Sequence, residues 1–134
     1  MSAKKARTGS DDPFFTVLVV DRDPGTLQAC EGFLRARGNF VFSAESAEAA
    51  IVTTRKFSPD LILIGSEQLG RSARSLASRL LELQPSAAII LLVEKPTARE
   101  AVQAIKMGVV DILRRPLDLQ DLKEAIEFHK TFFK

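Results

Sequence analysis

The 134-residue chain has one cysteine, Cys30, one histidine, His129, and neither tryptophan nor tyrosine. A single cysteine excludes an intramolecular disulfide, and one cysteine with one histidine excludes a metal cage built from those ligands. A lone histidine also argues against a histidine-based catalytic triad. Charge of one sign is scarce too: 19 Lys and Arg against 17 Asp and Glu leave a formal +2. So small an excess gives no electrostatic footprint for nucleic acid. No apolar run approaches the roughly 20 residues that cross a bilayer. Residues 1–12 are polar and lack the apolar stretch of a secretory signal. A cytoplasmic protein without a membrane partner is expected.

The remaining composition, 46% hydrophobic and 27% charged, is that of a globular protein, and the length suits one domain. Cys30 reads as a small buried hydrophobe. Residues 1–13 carry Lys4, Lys5 and Arg7, then Asp11 and Asp12, with no periodicity. They read as a flexible tail preceding a domain over residues 14–134.

Residues 15–20, Phe-Thr-Val-Leu-Val-Val, are nearly continuously apolar and β-branched, as in a strand buried on both faces. Asp23-Pro24 then starts a helix, with an acid at the cap and Pro at the first position. Leu27, Cys30, Phe33 and Leu34 recur along it at helical spacing, and Gly38 and Asn39 end it. Residues 40–44 form a weaker strand. Ala47, Ala50, Ile51, Thr54 and Phe57 mark a second helix, stopped by Pro59.

A third strand is expected over residues 60–64. Ala73, Leu76, Ala77, Leu80 and Leu83 form the stripe of a third helix, and residues 88–93 a fourth strand. Thr97 and Glu100 form a capping box. Ala98, Ala101, Val102 and Ile105 are expected on the buried face of the helix that follows. Residues 109–113 read as the fifth strand. Asp118 caps a last helix through Leu119, Leu122, Ala125, Ile126, Phe132 and Phe133.

Five strands alternating with five helices predict an α/β fold: a doubly wound parallel five-stranded sheet, a single (βα)5 unit, with order 2-1-3-4-5. Its functional site belongs beyond the carboxyl ends of the strands, where the order reverses. Those ends carry Asp21, Arg22 and Asp23, then Gly65, Ser66 and Glu67, then Val93 and Glu94, and finally Arg114, Arg115 and Pro116.

Four blocks now carry a resemblance. Val17-Leu-Val-Val-Asp-Arg-Asp-Pro24, Pro59-Asp-Leu-Ile-Leu-Ile64, Ala101-Val-Gln-Ala-Ile-Lys-Met-Gly108 and Asp111-Ile-Leu-Arg-Arg-Pro-Leu-Asp-Leu119 resemble the receiver domain of bacterial response regulators. The similarity covers residues 14–129. It implies the flavodoxin-like three-layer sandwich and a part in two-component phosphorelay signalling. In that family an Asp ending strand three takes phosphate from a histidine kinase; the position here is Gly65. An acidic pair after strand one binds Mg²⁺; here it is Asp21 and Arg22. A Thr or Ser ending strand four is here Val93, and the Lys before the strand-five Pro is Arg115. The aromatic switch of strand five falls on Ile112.

Aspartyl phosphorylation needs a nucleophilic carboxylate, a divalent cation and donors for the transferring oxygens. Gly65 has no side chain and Val93 cannot donate. Asp21 is outnumbered by Arg22 and Arg115, so the pocket would repel Mg²⁺, and no cofactor is expected. The resemblance thus points to a non-enzymatic, phosphorylation-independent interaction module. Two alternatives stand beside it: a displaced acceptor at Ser66 or Glu67, or a small-anion site on Arg22 and Arg115. A third outcome is internal pairing of Asp21 or Glu94 with one of these arginines. His129 reads as solvated or as compensating the helix dipole. Phe128, Phe132 and Phe133 crowd the C-terminus. Two of them can pack on the sheet as core; alternatively, the family's helix 4–strand 5–helix 5 face makes them candidates for a homodimer or protein-partner interface.

Overall fold

Strands that are apolar at every position need cover on both faces, and the computed structural model supplies it. The structure describes residues 15–66 and 71–129. The expected tail, Phe14, Glu67, Phe132 and Phe133 lie outside the described residues.

The elements run β1 (Thr16–Val20), α1 (Pro24–Ala36), β2 (Phe40–Ala44), α2 (Ala47–Phe57), β3 (Leu61–Gly65), α3 (Arg71–Leu83), β4 (Ala88–Val93), α4 (Ala98–Met107), β5 (Asp111–Arg114) and α5 (Leu119–His129). The sheet is parallel throughout, in the order β2-β1-β3-β4-β5. The expected architecture is therefore the observed one.

Successive strand residues point to opposite faces and build two cores. Val17 and Val19 of β1, Leu61 and Leu63 of β3, and Ile90 and Leu92 of β4 pack under Leu27, Cys30 and Leu34 of α1 and Leu122, Ala125 and Ile126 of α5. Leu18, Val20, Ile62, Ile64, Ile89, Leu91 and Val93 pack on the other face against Ala50, Ala77, Leu80 and Ala104. Each fully buried aliphatic side chain contributes about 1.5–3 kcal/mol.

The caps set the helix starts at the site's rim. Asp23 is extended and its carboxylate accepts from the Thr26 amide at 3.1 Å. Thr97 and Glu100 form the reciprocal box, with amide-to-side-chain distances of 3.1 and 3.0 Å. α4 ends on Gly108 at φ 118°, a left-handed conformation that favours glycine.

Several expectations are corrected. β3 runs one residue later than expected, Leu61–Gly65, so Gly65 is its last residue and pairs with Leu92. β5 begins at Asp111, not at residue 109, because the Val109 amide still donates to Ala104 of α4 at 3.1 Å. The buried face of α4 is not the expected one. Ala98 is exposed, Ala101 half-buried, and Val102 and Ile105 are 52% and 49% exposed, while Ala104 is fully buried. The helix is turned by about 140°, more than a third of a turn, seating Ala104 and Met107 on the second core. A small residue at 104 lets the helix approach the sheet, and the larger apolar side chains are left outward.

Candidate functional site

The carboxyl ends of β1, β3 and β5 meet at one ion pair. The Asp21 amide donates to Ala44 at 3.0 Å, which continues the β1–β2 pairing and aims the Asp21 side chain across the sheet end. That side chain is 4% exposed, and its Oδ1 accepts from the Asp23 amide at 3.0 Å. The Arg115 amide donates to Val93 at 2.8 Å, which holds the start of the β5 loop against β4.

From there the Arg115 guanidinium reaches back over the sheet. Nη2 pairs with Asp21 Oδ2. Nε donates to the Ser66 carbonyl at 3.1 Å, and Nη1 to Thr26 Oγ1 at 3.4 Å. One side chain thus ties the ends of β1 and β3 and the first turn of α1 to the chain leaving β5. Its fork of fixed donors suits such a convergence better than a lysine would.

Gly65 lies beneath this pair. A Cβ placed on it would overlap the Asp21 carboxylate and Arg115 Nη2, and would sit 2.6 Å from Asp21 Cγ. Both charged groups therefore use space that a side chain at the end of β3 would take.

The remaining predicted residues are not drawn into the pair. Arg22 and Glu94 are exposed. Val93 is fully buried in the second core, and Ile112 is half-buried against it. Beside the pair, an open cleft of about 600 Å³ is lined by Asp23, Thr26, Glu94, Lys95, Arg115 and Pro116. Among the described residues no three His, Cys, Asp or Glu side chains form a group that could hold a metal ion.

Two ionisable groups near the pair are perturbed. The hydroxyl and amide of Thr26 hold the Asp23 carboxyl below its usual range, with a smaller contribution from the Arg115 charge. Burial, reinforced by the Asp21 carboxylate, pushes the Cys30 thiol up to about 11.

Sequence reasoning missed two partners of Arg115. Thr26 stands three residues after the Asp23 cap, a spacing that puts its side chain at the sheet end, but the Ser66 carbonyl has no side-chain signal. It also misread His129. The ring is buried, and its Nε2 lies 3.0 Å from Asp111 Oδ2, so the residue is not solvated, although it does stand in the last turn of α5. A buried imidazole needs a polar partner, and the first residue of β5 provides one. Phe128, by contrast, is 75% exposed.

A family model described as the response regulator receiver domain matches residues 17–127. The transcriptional regulatory protein ZraR of Salmonella typhimurium is 29% identical over 111 residues, covering 83% of this chain and 25% of that protein. The photosynthetic apparatus regulatory protein RegA of Rhodobacter capsulatus is 28% identical over 121 residues, covering 90% of this chain and 64% of that one. A solved response regulator receiver domain protein of Methanospirillum hungatei superposes with a TM-score of 0.80 at 19% identity, covering 90% and 96% of the two chains. The chain spans about a quarter of the length of the first curated relatives it matches. With the family model matching most of its length, the chain belongs to the response regulator receiver domain family.

Proposed function

We propose that this receiver acts without phosphorylation, as a protein-interaction module of two-component signalling and not as an enzyme. The observation that carries the reading is Gly65 at the end of β3. Phosphoryl transfer to a receiver forms a bond from a carboxylate oxygen to phosphorus while the donor's bond breaks. Glycine offers no oxygen for that attack. The charge balance agrees. Asp21, the acid that would face a metal, is engaged by Arg115, and Arg22 adds a second positive charge nearby. Mg²⁺ takes hard oxygen ligands and is disfavoured by both arginines.

The partner surface in this reading is the face of α4, β5 and α5. Val102, Ile105 and Phe128 are exposed there. Exposed Arg99, Lys106 and Arg114 flank the α4 side, while Asp121 and Glu124 stand on α5. Opposite charges on the two halves of one face suit a two-fold pairing of identical chains, or a partner of similar pattern.

The test is incubation with acetyl phosphate and Mg²⁺ followed by intact-mass measurement. The unmodified mass is expected. A stoichiometric gain of about 80 Da, the mass of one phosphoryl group, that disappears in hydroxylamine would overturn the reading.

A further inference from the structure

The void left by the missing side chain at Gly65 is not empty. The Asp21 carboxylate and the Arg115 guanidinium enter it from opposite sides, and a Cβ at residue 65 would overlap both. Arg115 is then fixed at its other nitrogens by Thr26 Oγ1 and the Ser66 carbonyl. Neither charge has much water to fall back on: the side chains are 4% and 15% exposed. A carboxylate so buried is costly without its counter-charge.

We propose that Arg115 is the resident occupant of this site and that Gly65 serves to admit it. The two positions form one device. Arg115 is the pocket's own cation, Asp21 its own anion, and the pair fastens the ends of β1 and β3 to the chain leaving β5 with no external ligand. Residue 65 and residue 115 are thereby coupled: a side chain at 65 is incompatible with arginine at 115, and far less so once the guanidinium is gone. Without that anchor the Asp21 carboxylate keeps its hydrogen bond from the Asp23 amide at 3.0 Å and can turn from β3 by rotating about its own side-chain bonds.

The inference concerns the same site as the reading above but stands apart from its assay. A phosphorylated product would overturn that reading and leave the coupling intact, and an uncoupled pair would do the reverse.

The experiment is a double-mutant cycle in the full chain, using Gly65→Ala, Arg115→Ala and the double variant, followed by urea denaturation. Gly65→Ala alone is expected to lower the folded-to-unfolded ratio at least about tenfold, and less than about threefold in the Arg115→Ala background. Equal penalties in the two backgrounds would overturn the proposal, and so would a penalty below about twofold in the native background. The same cycle on Arg115→Gln guards against poor folding of the alanine variant. Gly65→Ala that folds only in an Arg115-substituted background supports the coupling directly; failure to fold in every background overturns it.

Discussion

The imidazole Nε2 of His129, in the last turn of α5, lies 3.0 Å from Oδ2 of Asp111, the first residue of β5. It closes the sheet end opposite the Asp21–Arg115 pair. The His129 ring is buried, and Phe128 beside it is turned outward. The exposed Phe128 ring still meets the imidazole edge-on, with ring centroids 4.8 Å apart, so this contact and the Asp111 contact together pin the end of α5. His129→Ala is expected to cost about 1–3 kcal/mol, the range for a buried hydrogen bond lost with one partner left behind. Urea denaturation measures it, and a loss below about 0.5 kcal/mol, typical of a surface change, would show that the contact does not hold the helix end.

Arg115→Ala is expected to destabilise by about 3–5 kcal/mol, because it leaves the buried Asp21 carboxylate without its counter-charge. Arg115→Lys should fall between the two, since a single ammonium cannot serve Asp21, Thr26 and Ser66 in the forked geometry seen here. Arg22→Ala is the control: that side chain is exposed, and its removal should change stability by no more than about 0.5 kcal/mol. Chemical denaturation of the three variants orders them.

The sheet order, the capping box at Thr97 and the glycine stop at Gly108 were all legible in the sequence, because each depends on local spacing or on continuous apolar runs. The face of α4 was not. Apolar residues at 98, 101, 102 and 105 satisfy helical periodicity, yet the helix seats on Ala104 because only a small side chain permits that approach. Periodicity finds an apolar stripe without saying whether the stripe meets the sheet or a partner. At the site, the residue types at 21, 65 and 115 could be read from the strand ends. Which acid would pair with which arginine could not, since the choice depends on the void above Gly65 and on a backbone carbonyl at Ser66. His129 was misread for a related reason: its partner, Asp111, is 18 positions away in the chain.

Cys30 should be inert in the native protein. Burial holds its thiol protonated up to about 11, so almost no thiolate exists near pH 8. The native state keeps this proton more tightly than the unfolded chain, whose thiol titrates at about 8.5. The associated stabilisation is present below that value and is lost as pH rises through the folded one. A chromogenic disulfide reagent at neutral to mildly alkaline pH should label Cys30 slowly when folded and promptly in denaturant. Equal rates in the two conditions would contradict its placement in the core.

The helix cap at Asp23 predicts an acid-sensitive contribution. Hydrogen bonds from Thr26 hold its carboxyl below the usual range, so the folded state favours the ionised form. That contribution is present above the unfolded value and is lost as pH falls through the folded one. Asp23→Asn keeps a capping oxygen but has no charge to lose. Between about pH 6 and about pH 3, the native protein should therefore lose stability relative to Asp23→Asn. Thermal melts of both proteins across that window measure the difference, and parallel curves would mean the cap is insensitive to its charge.

The outward face of α4 separates stability from association. Val102 and Ile105 are about half exposed and contribute little to either core, so Val102→Glu with Ile105→Glu should leave the unfolding free energy within about 1 kcal/mol of native. Ala104→Glu, at a fully buried position, should instead unfold the helix from the sheet, because it buries a charge without a partner. If the α4–β5–α5 face pairs two copies of this chain, the double Glu variant should shift light scattering from dimer to monomer while circular dichroism stays native. Phe128→Ala should weaken the same assembly, since its ring is the largest exposed apolar group on α5 and lines a shallow groove with Asp111, Leu113, Asp121 and Glu124. A native protein that scatters as a monomer at every concentration would rule out the homodimer and leave this face to a different protein.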